Sequence, residues 1–586
     1  MAYELMERGH VMSRTAASLA VIGLLCCISD GTLLRAQQAA PDLILSNGKI
    51  ITVDERFSIA QAVAIRGDRI IAVGTSQEVG RLAGPNTRRI DLRGKAVIPG
   101  LIDHHGHYMR EGSTWVEEVR LDGVESRKQA VDMVRGKSRT IAPDAWVYTL
   151  MGWTLDQFAD DKKPFTREEL DQIDSSHPVF LQEAYFRVYM NSRGLREMGI
   201  LDGAPDPEWV PKGAVVRDAR GRATGVILEH GVRPVEGRLL AKPRTREQIE
   251  ASHVAMIRDL NRAGLTTIGT TTCEGGGGVA SAVPWLQDTY RRWAEQGSLN
   301  VRVFCQDSAA VGNTPELVDK NLPLVAQMKL FRGNQFFDTV AYGEGVYGPA
   351  SDDMLKVKPS QTADDFRQWG RIALEVAKAG MPMHVHTTLE ATADGFLDQI
   401  EQINRQYPIR TLRWAFFHSD QITQAHLERM KKLGMYIGVH MRPTVMGGIF
   451  NRIRGERSLD NPPLRWVQES GIMWGVGTDF NLSPYQPFIS LHYMVTGKMV
   501  GGTVVNRQPI SREDALIAYT RKNAFFVFQE DNLGSIQPGK LADIVVMDRD
   551  YLTVPADQIK DIKPVLTIVG GKTVFDAGSQ TPPATR

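Results

Sequence analysis

The sequence predicts an α/β fold: a distorted (β/α)8 barrel with a small composite β-sandwich assembled from both chain ends. Three observations predict it. The middle of the chain repeats a helix–Gly–strand unit, the two ends share a texture of short strands broken by Gly and Pro, and imidazoles and carboxylates recur where the middle strands end.

The units of the middle can be read in order. "REQIEASHVAMIRDLNRAG" (246–264) has helical spacing, stops at a glycine and leads into the strand "LTTIGTTT". "ADDFRQWGRIALEVAKAG" leads into "MPMHVHTT", "QAHLERMKKLG" into "MYIGVHM", and "NPPLRWVQESG" into "IMWGVGTDF". The number of units and the chain length favour a closed barrel with insertions. From about residue 108 to 250 the pattern loosens, and that stretch reads as an insert of mixed structure.

At the N-terminal end, "DLILSNGKIITVD" and "AQAVAIRGDRIIAVG" place Asn-Gly and Gly-Asp between alternating apolar runs, a hairpin signature. "KAVIPGLID" (95–103) runs apolar, as a buried strand of an α/β protein does. At the other end, "LGSIQPGKLADIVVMDRD" and "PVLTIVGGKTVFDAG" are strands punctuated by Gly and Pro. The expected partition is a signal peptide over 1–36, the first part of the β-sandwich over 37–98, the barrel over 99–532, and the second part with the C-terminal tail over 533–586.

The 586 residues are 42% hydrophobic and 23% charged with a formal net charge of +1, enough for one large domain plus smaller ones. There is no long basic run and no interleaving of basic with aromatic residues, so a nucleic-acid partner is not expected; the small-molecule substrate expected instead rests on the strand-end chemistry and the resemblance given below. Oligomeric state is left open, a homo-oligomer included. After Arg14, "AASLAVIGLLCCI" (16–28) has the length of a signal-peptide core and is too short to span a bilayer comfortably. Cleavage is expected after Ala36, although Leu34 is not the ideal small residue; a buried N-terminal helix is the competing reading. The expected destination is the periplasm or the medium, with no membrane span after signal removal. Only Cys273 and Cys305 would then remain. Two cysteines make no disulfide framework, and both read as buried small hydrophobes whose pairing does not follow from spacing.

The chemistry begins with "PGLIDHHGHYM" (99–109). In a strand, residues two apart share a side, so His105 and His107 project together and His104 faces away. Two such imidazoles are half of a metal site. His384 and His386 end "MPMHVH", His418 ends "TLRWAFFH", His440 ends "MYIGVH", Asp479 ends "IMWGVGTD" and Glu344 ends "DTVAYGE". A parallel barrel does its chemistry at the C-terminal strand ends. Imidazole nitrogen and carboxylate oxygen are what Zn2+ and similar divalent ions take, usually with one position open for water. Singly, each residue has an ordinary reading: His384 as a packed or supporting residue, His440 as a substrate contact or a hydrogen-bonding group at the rim, a lone acid as a helix cap. Recurrence at strand after strand is what makes a site. Trp153, Arg187 and Glu229 are candidates for the pocket wall, Trp153 reading equally as core and Glu229 as an exposed charge.

These motifs resemble the amidohydrolase superfamily, amidohydrolase family 3, in the branch that includes N-substituted formamide deformylases. The resemblance covers about residues 42–577 and is carried by "NGKIITVD", "VIPGLIDHHGH", "NSRGLREMGI", "LRWAFFHSD", "WGVGTDF" and "GSIQPGKLADIVVMDRD". It implies one or two divalent metals, Zn2+ foremost, that activate a water. Carried onto this chain, His105 and His107 hold the first metal with Asp479, and His386 and His418 hold the second. Asp479 also takes a proton from the attacking water. The bridging position on the fourth strand falls to Glu344, with Lys329 in "AQMKLF" as rival; if neither bridges, a single-metal enzyme is the better description. The chain departs from relatives in "AYFRVYMNS", with Phe186 and Arg187, and in "HTTLEAT" after the fifth-strand histidine, both near the expected substrate pocket. The expected activity is hydrolysis of a non-peptide amide-type C–N bond. Alternatives are deamination of a cyclic amidine, hydrolysis of an ester or lactone, and a non-catalytic exported binding or regulatory protein.

Overall fold

The computed structural model describes residues 39–271, 273 and 285–578, so the apolar run at 16–28 and the expected cleavage point lie outside the described residues. Eight parallel strands follow one another around a barrel: β1 (Leu101–Gly106), β2 (Leu265–Thr271), β3 (Arg302–Asp307), β4 (Phe337–Glu344), β5 (Met383–Thr387), β6 (Ala415–His418), β7 (Tyr436–His440) and β8 (Trp474–Gly477). The seam between β8 and β1 is closed beyond the regular ladder. Asp479 N–H donates to the His105 carbonyl at 3.0 Å, His107 N–H donates to the Phe480 carbonyl, and Thr478 N–H donates to the Asp103 carboxylate at 3.1 Å. Asp103 therefore stands outside the His cluster. Burial raises its pKa to about 6, against hydrogen bonds from Thr478, Tyr108 and the His105 backbone.

The helices between strands start and stop where local chemistry requires. Thr245, Thr362 and Thr423 each cap a helix (Arg246–Arg262, Ala363–Lys378, Gln424–Leu433) and each forms a reciprocal capping box with the residue three positions on. Gly434 and Gly471 end helices at φ of 73° and 73°, the left-handed geometry glycine adopts without steric cost. The apolar faces of these helices, with Trp369, Ile372, Phe396 and Leu427, pack on the outer faces of the strands, with Val385, Phe416 and Ile437. Near the strand starts, Ile102, Phe304 and Val340 pack with Ala524, Val527 and Leu533 from the segment after β8.

"KAVIPGLID" forms two strands, not one. Ala96–Pro99 joins a six-stranded sheet, and β1 begins at Leu101. The break falls at Gly100, where a Cβ would stand 2.2 Å from Thr266 Oγ1. The six-stranded sheet takes Lys49–Ile51, Ile59–Ala60 and Ala96–Pro99 from one chain end and Ile544–Met547, Pro564–Val569 and Lys572–Asp576 from the other. It faces a four-stranded sheet of Leu43–Ser46, Ala62–Arg66, Arg69–Gly74 and Arg88–Asp91 across a core that includes Leu45, Val63, Ile65, Val97, Ile544 and Ile568. The Gly-Asp pair makes a hairpin as expected, Arg66 opposite Arg69, and Gly570-Gly571 makes another, Val569 opposite Lys572. Asn47-Gly48 does not. It carries the chain from one sheet to the other, Asn47 at φ 58° and Gly48 tight against Leu92, where a Cβ would meet Leu92 Cδ1 at 2.4 Å. A fully buried pair, Arg302 Nη2 to Asp543 Oδ1 at 2.9 Å, ties β3 to the C-terminal strands.

Between β1 and β2 lies a five-stranded sheet (Val147–Thr149, Val179–Glu183, Arg187–Met190, Val215–Arg217, Ala223–Leu228) followed by the helix Glu229–Leu240. Cys273 and Cys305 are buried as expected, and the pairing that spacing left open is a disulfide between them. Spacing carried no signal because their proximity is created by the β2–β3 ladder. Among the described residues, no helix is long and apolar enough to cross a membrane.

Candidate metal centre

Side chains from the C-terminal ends of six barrel strands meet at one place. His105 Nε2 lies 3.4 Å from Glu344 Oε2 and 3.7 Å from Asp479 Oδ1. His107 Nε2 lies 3.2 Å from Asp479 Oδ1 and 3.7 Å from Glu344 Oε1. On the other side of Glu344, His418 Nε2 is 2.8 Å and His386 Nδ1 3.5 Å from Oε2. Donor atoms around a tetrahedral cation at 2.0–2.2 Å stand roughly 3.3–3.6 Å from one another. The spacings observed are of that order, and Glu344 is the group common to both halves.

The hydrogen bonding gives an independent test of fit. His105 Nε2 and both carboxylate oxygens of Asp479 are buried without a hydrogen-bond partner. Buried polar atoms are nearly always satisfied, so a set of such orphans aimed at one another is what a bound cation would complete. The remaining ring nitrogens are held from behind. Gln306 donates from its amide nitrogen to the His104 carbonyl at 2.9 Å, which leaves its Oε1 to accept from His105 Nδ1 at 3.2 Å. Thr271 Oγ1 lies 2.8 Å from His107 Nδ1. The His386 Nε2 edge faces Asp352 Oδ1 at 3.0 Å, and the Asp352 carboxylate also accepts from the backbone of Thr388 and Leu389 at 2.9 and 2.7 Å. Partners of this kind fix ring orientation and leave the inward nitrogen free to coordinate.

Electrostatics follow from the same contacts. Burial opposes charge on His386, but hydrogen bonds with Asp352 and Glu344 outweigh it and hold its pKa at about 10. His418 is pushed down to about 4 by burial and by neighbouring His386 and Arg442. Burial would raise Asp479, but the imidazoles of His418 and His107 close to it, together with Arg442, keep it below the ordinary carboxylate range. Two of the converging residues, His418 and Asp479, sit at φ of 70° and 54°, left-handed conformations that non-glycine residues rarely adopt.

The structure sorts the expected residues. His105, His107, Glu344, His386, His418 and Asp479 converge. His440 converges with them too: its Nδ1 is 2.6 Å from His418 Nδ1, and it lies within coordinating reach of His105, His418 and Asp479. His104 and His384 pack instead against Phe417, ring centroids 4.7 and 4.2 Å away, and burial keeps both neutral. Lys329 is exposed on the segment before β4, away from the cluster. Trp153 is core: it is fully buried, its indole donates to Thr149 Oγ1 at 2.9 Å, and it stacks on Phe158. Arg187 is turned onto Phe186 and pairs with Glu183 at 3.3 Å. Glu229 does line the cavity above the cluster, at about 380 Å³, with Tyr185, Arg233, Met354 and Leu482. Asp352, Thr271, Gln306 and Arg442 were not singled out from the sequence. Arg442, two residues past His440, offered the one usable signal; it pairs with Asp420 at 2.8 Å and reaches to 3.7 Å from Asp479 Oδ2.

A near-closed parallel barrel with imidazoles and acids converging at its C-terminal rim defines a metal-dependent hydrolase. The chain belongs to the amidohydrolase family, which it matches over residues 88–575. It is 26% identical to an N-substituted formamide deformylase of Arthrobacter pascens over 561 residues, 90% of this chain and 97% of that one. It is 24% identical to the protein LONG AFTER FAR-RED 3 of Arabidopsis thaliana, over 91% of each chain. Among solved structures, an uncharacterized metal-dependent hydrolase from Pyrococcus furiosus shares the fold with a TM-score of 0.59 at 23% identity, covering 87% of this chain and all of that one (100%).

Proposed function

We propose that this chain hydrolyses an amide-type C–N bond of a small molecule, with Asp479 as the proton-transferring residue. The observation that carries the reading is the convergence of Asp479, four imidazoles and Glu344 at coordinating separations, with buried donor atoms otherwise unsatisfied. His105, His107 and Asp479 would hold one divalent cation, His386 and His418 a second, with Glu344 between them; nitrogen and oxygen donors in this mixture suit Zn2+. Cations held there supply Lewis-acid polarisation of the scissile carbonyl and lower the pKa of water from 15.7 to about 7.

The chain's own groups do the rest. Asp479 is buried and ionised, so it starts the cycle as a proton acceptor, takes a proton from the attacking water and returns it to the leaving nitrogen. Arg442 flanks its Oδ2 and holds the carboxylate in place. Val232, Met354, Leu355 and Leu482 supply the apolar part of the cavity lining, against which an acyl or amine substituent would rest. Similarity to a formamide deformylase supports N-formyl and other N-acyl amines as first substrates to try.

The reading also places the mature chain outside the cytoplasm. The apolar run at 16–28 supports this, as does the Cys273–Cys305 disulfide, since such bonds persist in oxidising compartments. N-terminal sequencing of protein recovered from the periplasm or medium should begin after Ala36. For activity, metal-stripped protein is assayed on a panel of N-formyl and N-acyl amines with and without Zn2+ or Mn2+. Amine release that requires the metal is expected. Stoichiometric metal without turnover on any amide, ester or lactone would favour a binding protein, and no metal uptake would end the reading.

A further inference from the structure

The supports behind His105 and His107 stand next to the disulfide. Thr271 closes β2 and Gln306 lies on β3, and the two are direct register partners across the parallel ladder. One step along the same ladder, Thr270 is paired with Cys305, and Cys305 is bonded to Cys273, two residues past Thr271. The covalent link therefore brackets the one ladder position from which both outer imidazole nitrogens are held, His107 Nδ1 by Thr271 and His105 Nδ1 by Gln306. Both cysteines are buried, Cys305 completely.

We propose that the Cys273–Cys305 disulfide is a clamp on the first metal half-site, acting through Thr271 and Gln306 as positioning residues for His107 and His105. The proposal rests on the metal reading above. The physical case is geometric. A strand's last residue is held by few ladder bonds and frays readily, yet Thr271 must keep its hydroxyl within hydrogen-bond range of one imidazole. Gln306 carries the second constraint: its amide is oriented by the His104 carbonyl, and only that orientation presents Oε1 to His105. Fixing Cys273 to Cys305 pins the end of β2 against β3 at the point where both constraints are needed. Loss of a supporting partner of a metal ligand typically costs about 10–100-fold in metal affinity. The half-site of His386 and His418 draws its support from Asp352 and His440, on other strands and loops, and is not reached by the clamp.

The test measures metal release from fully loaded protein into a chromophoric chelator, with Co2+ replacing Zn2+ so that ligand-field absorption reports coordination. The C273A/C305A double variant, Thr271→Val and Gln306→Leu should each release one of two equivalents at least tenfold faster than wild type and leave the second unchanged. Thr271→Ser, which keeps the hydroxyl, should restore the wild-type rate. Should the double variant fail to fold, C273V/C305V, which keeps more of the buried volume, takes its place, and the Thr271 pair separately tests the positioning role through which the clamp would act. Equal release rates in every variant would overturn the clamp, as would acceleration of both equivalents with Thr271→Ser no better than Thr271→Val. Wild-type protein that binds no stoichiometric metal overturns both the clamp and the reading beneath it, a result visible without any variant.

Discussion

His418 and His440 touch through their Nδ1 atoms at 2.6 Å, while the other nitrogen of His418 faces Glu344 at 2.8 Å. Burial and neighbouring charge keep both rings neutral. One Nδ1 must donate and the other accept. If His418 offers the Nε2 lone pair inward, its proton is on Nδ1, and His440 accepts that bond and carries its own proton on Nε2. One contact thus sets two tautomers.

The first prediction follows from that contact. His440→Leu leaves the His418 Nδ1–H buried without its acceptor, a cost of about 1–3 kcal/mol. Metal affinity on the His386–His418 side should fall about tenfold or more, measured by chelator competition. Unchanged affinity would mean that His440 serves only the cavity.

Asp479→Asn keeps the shape of the side chain and removes its ability to take a proton. Turnover should drop about 10²–10⁴-fold, with circular dichroism and thermal midpoint close to wild type. An Asn variant as active as the parent would assign the proton transfer to another group.

The barrel and the sandwich are joined by the buried Arg302–Asp543 pair, whose Asp543 also accepts from Gly570 N–H at 2.8 Å. Asp543→Ala strands a guanidinium in the interior and should cost about 3–5 kcal/mol, read from chemical denaturation. A loss within 1 kcal/mol, about the size expected of a surface pair, would show that water reaches the arginine.

Strand ends were legible in the sequence because each follows an apolar run, and those of His386, His440 and Asp479 also follow a glycine stop, so His105, His386, His418, His440 and Asp479 could be assigned to one rim before any coordinates. What sets their orientation was not legible. Asp352 lies in "ASDDM" after β4 with no periodicity to mark it, and Thr271 and Gln306 acquire meaning only through the register that pairs them. The disulfide was hidden for the same reason. Asn47-Gly48 has the local chemistry of a hairpin, but the flanking strands bury their faces in two different sheets, and tertiary packing decided the turn. Trp153 was ambiguous because a large aromatic serves a core and a pocket wall equally well; its neighbours, Phe158 and Phe165, come from segments without clear pattern.

A last prediction concerns acid stability. His253 is fully buried on the helix Arg246–Arg262, its Nδ1 2.8 Å from the Tyr290 hydroxyl and its Nε2 3.4 Å from Ser113 Oγ, with Glu250 the charged group that favours protonation. Burial drives its pKa from 6.5 down to about 3. The unfolded chain therefore binds a proton between those values that the folded chain refuses. The stabilising contribution is complete above pH 6.5 and is lost as pH falls toward 3, at about 1.4 kcal/mol per pH unit. His253→Gln retains hydrogen bonding without titration. At pH 7 it should be the less stable protein, through imperfect replacement of the ring. By pH 5 the wild type has lost roughly 2 kcal/mol that the variant keeps. The gap between their thermal midpoints should therefore narrow or reverse over that interval. Parallel curves for the two proteins from pH 7 to 5 would show that His253 is protonated in the folded state, and that water or a carboxylate reaches it there.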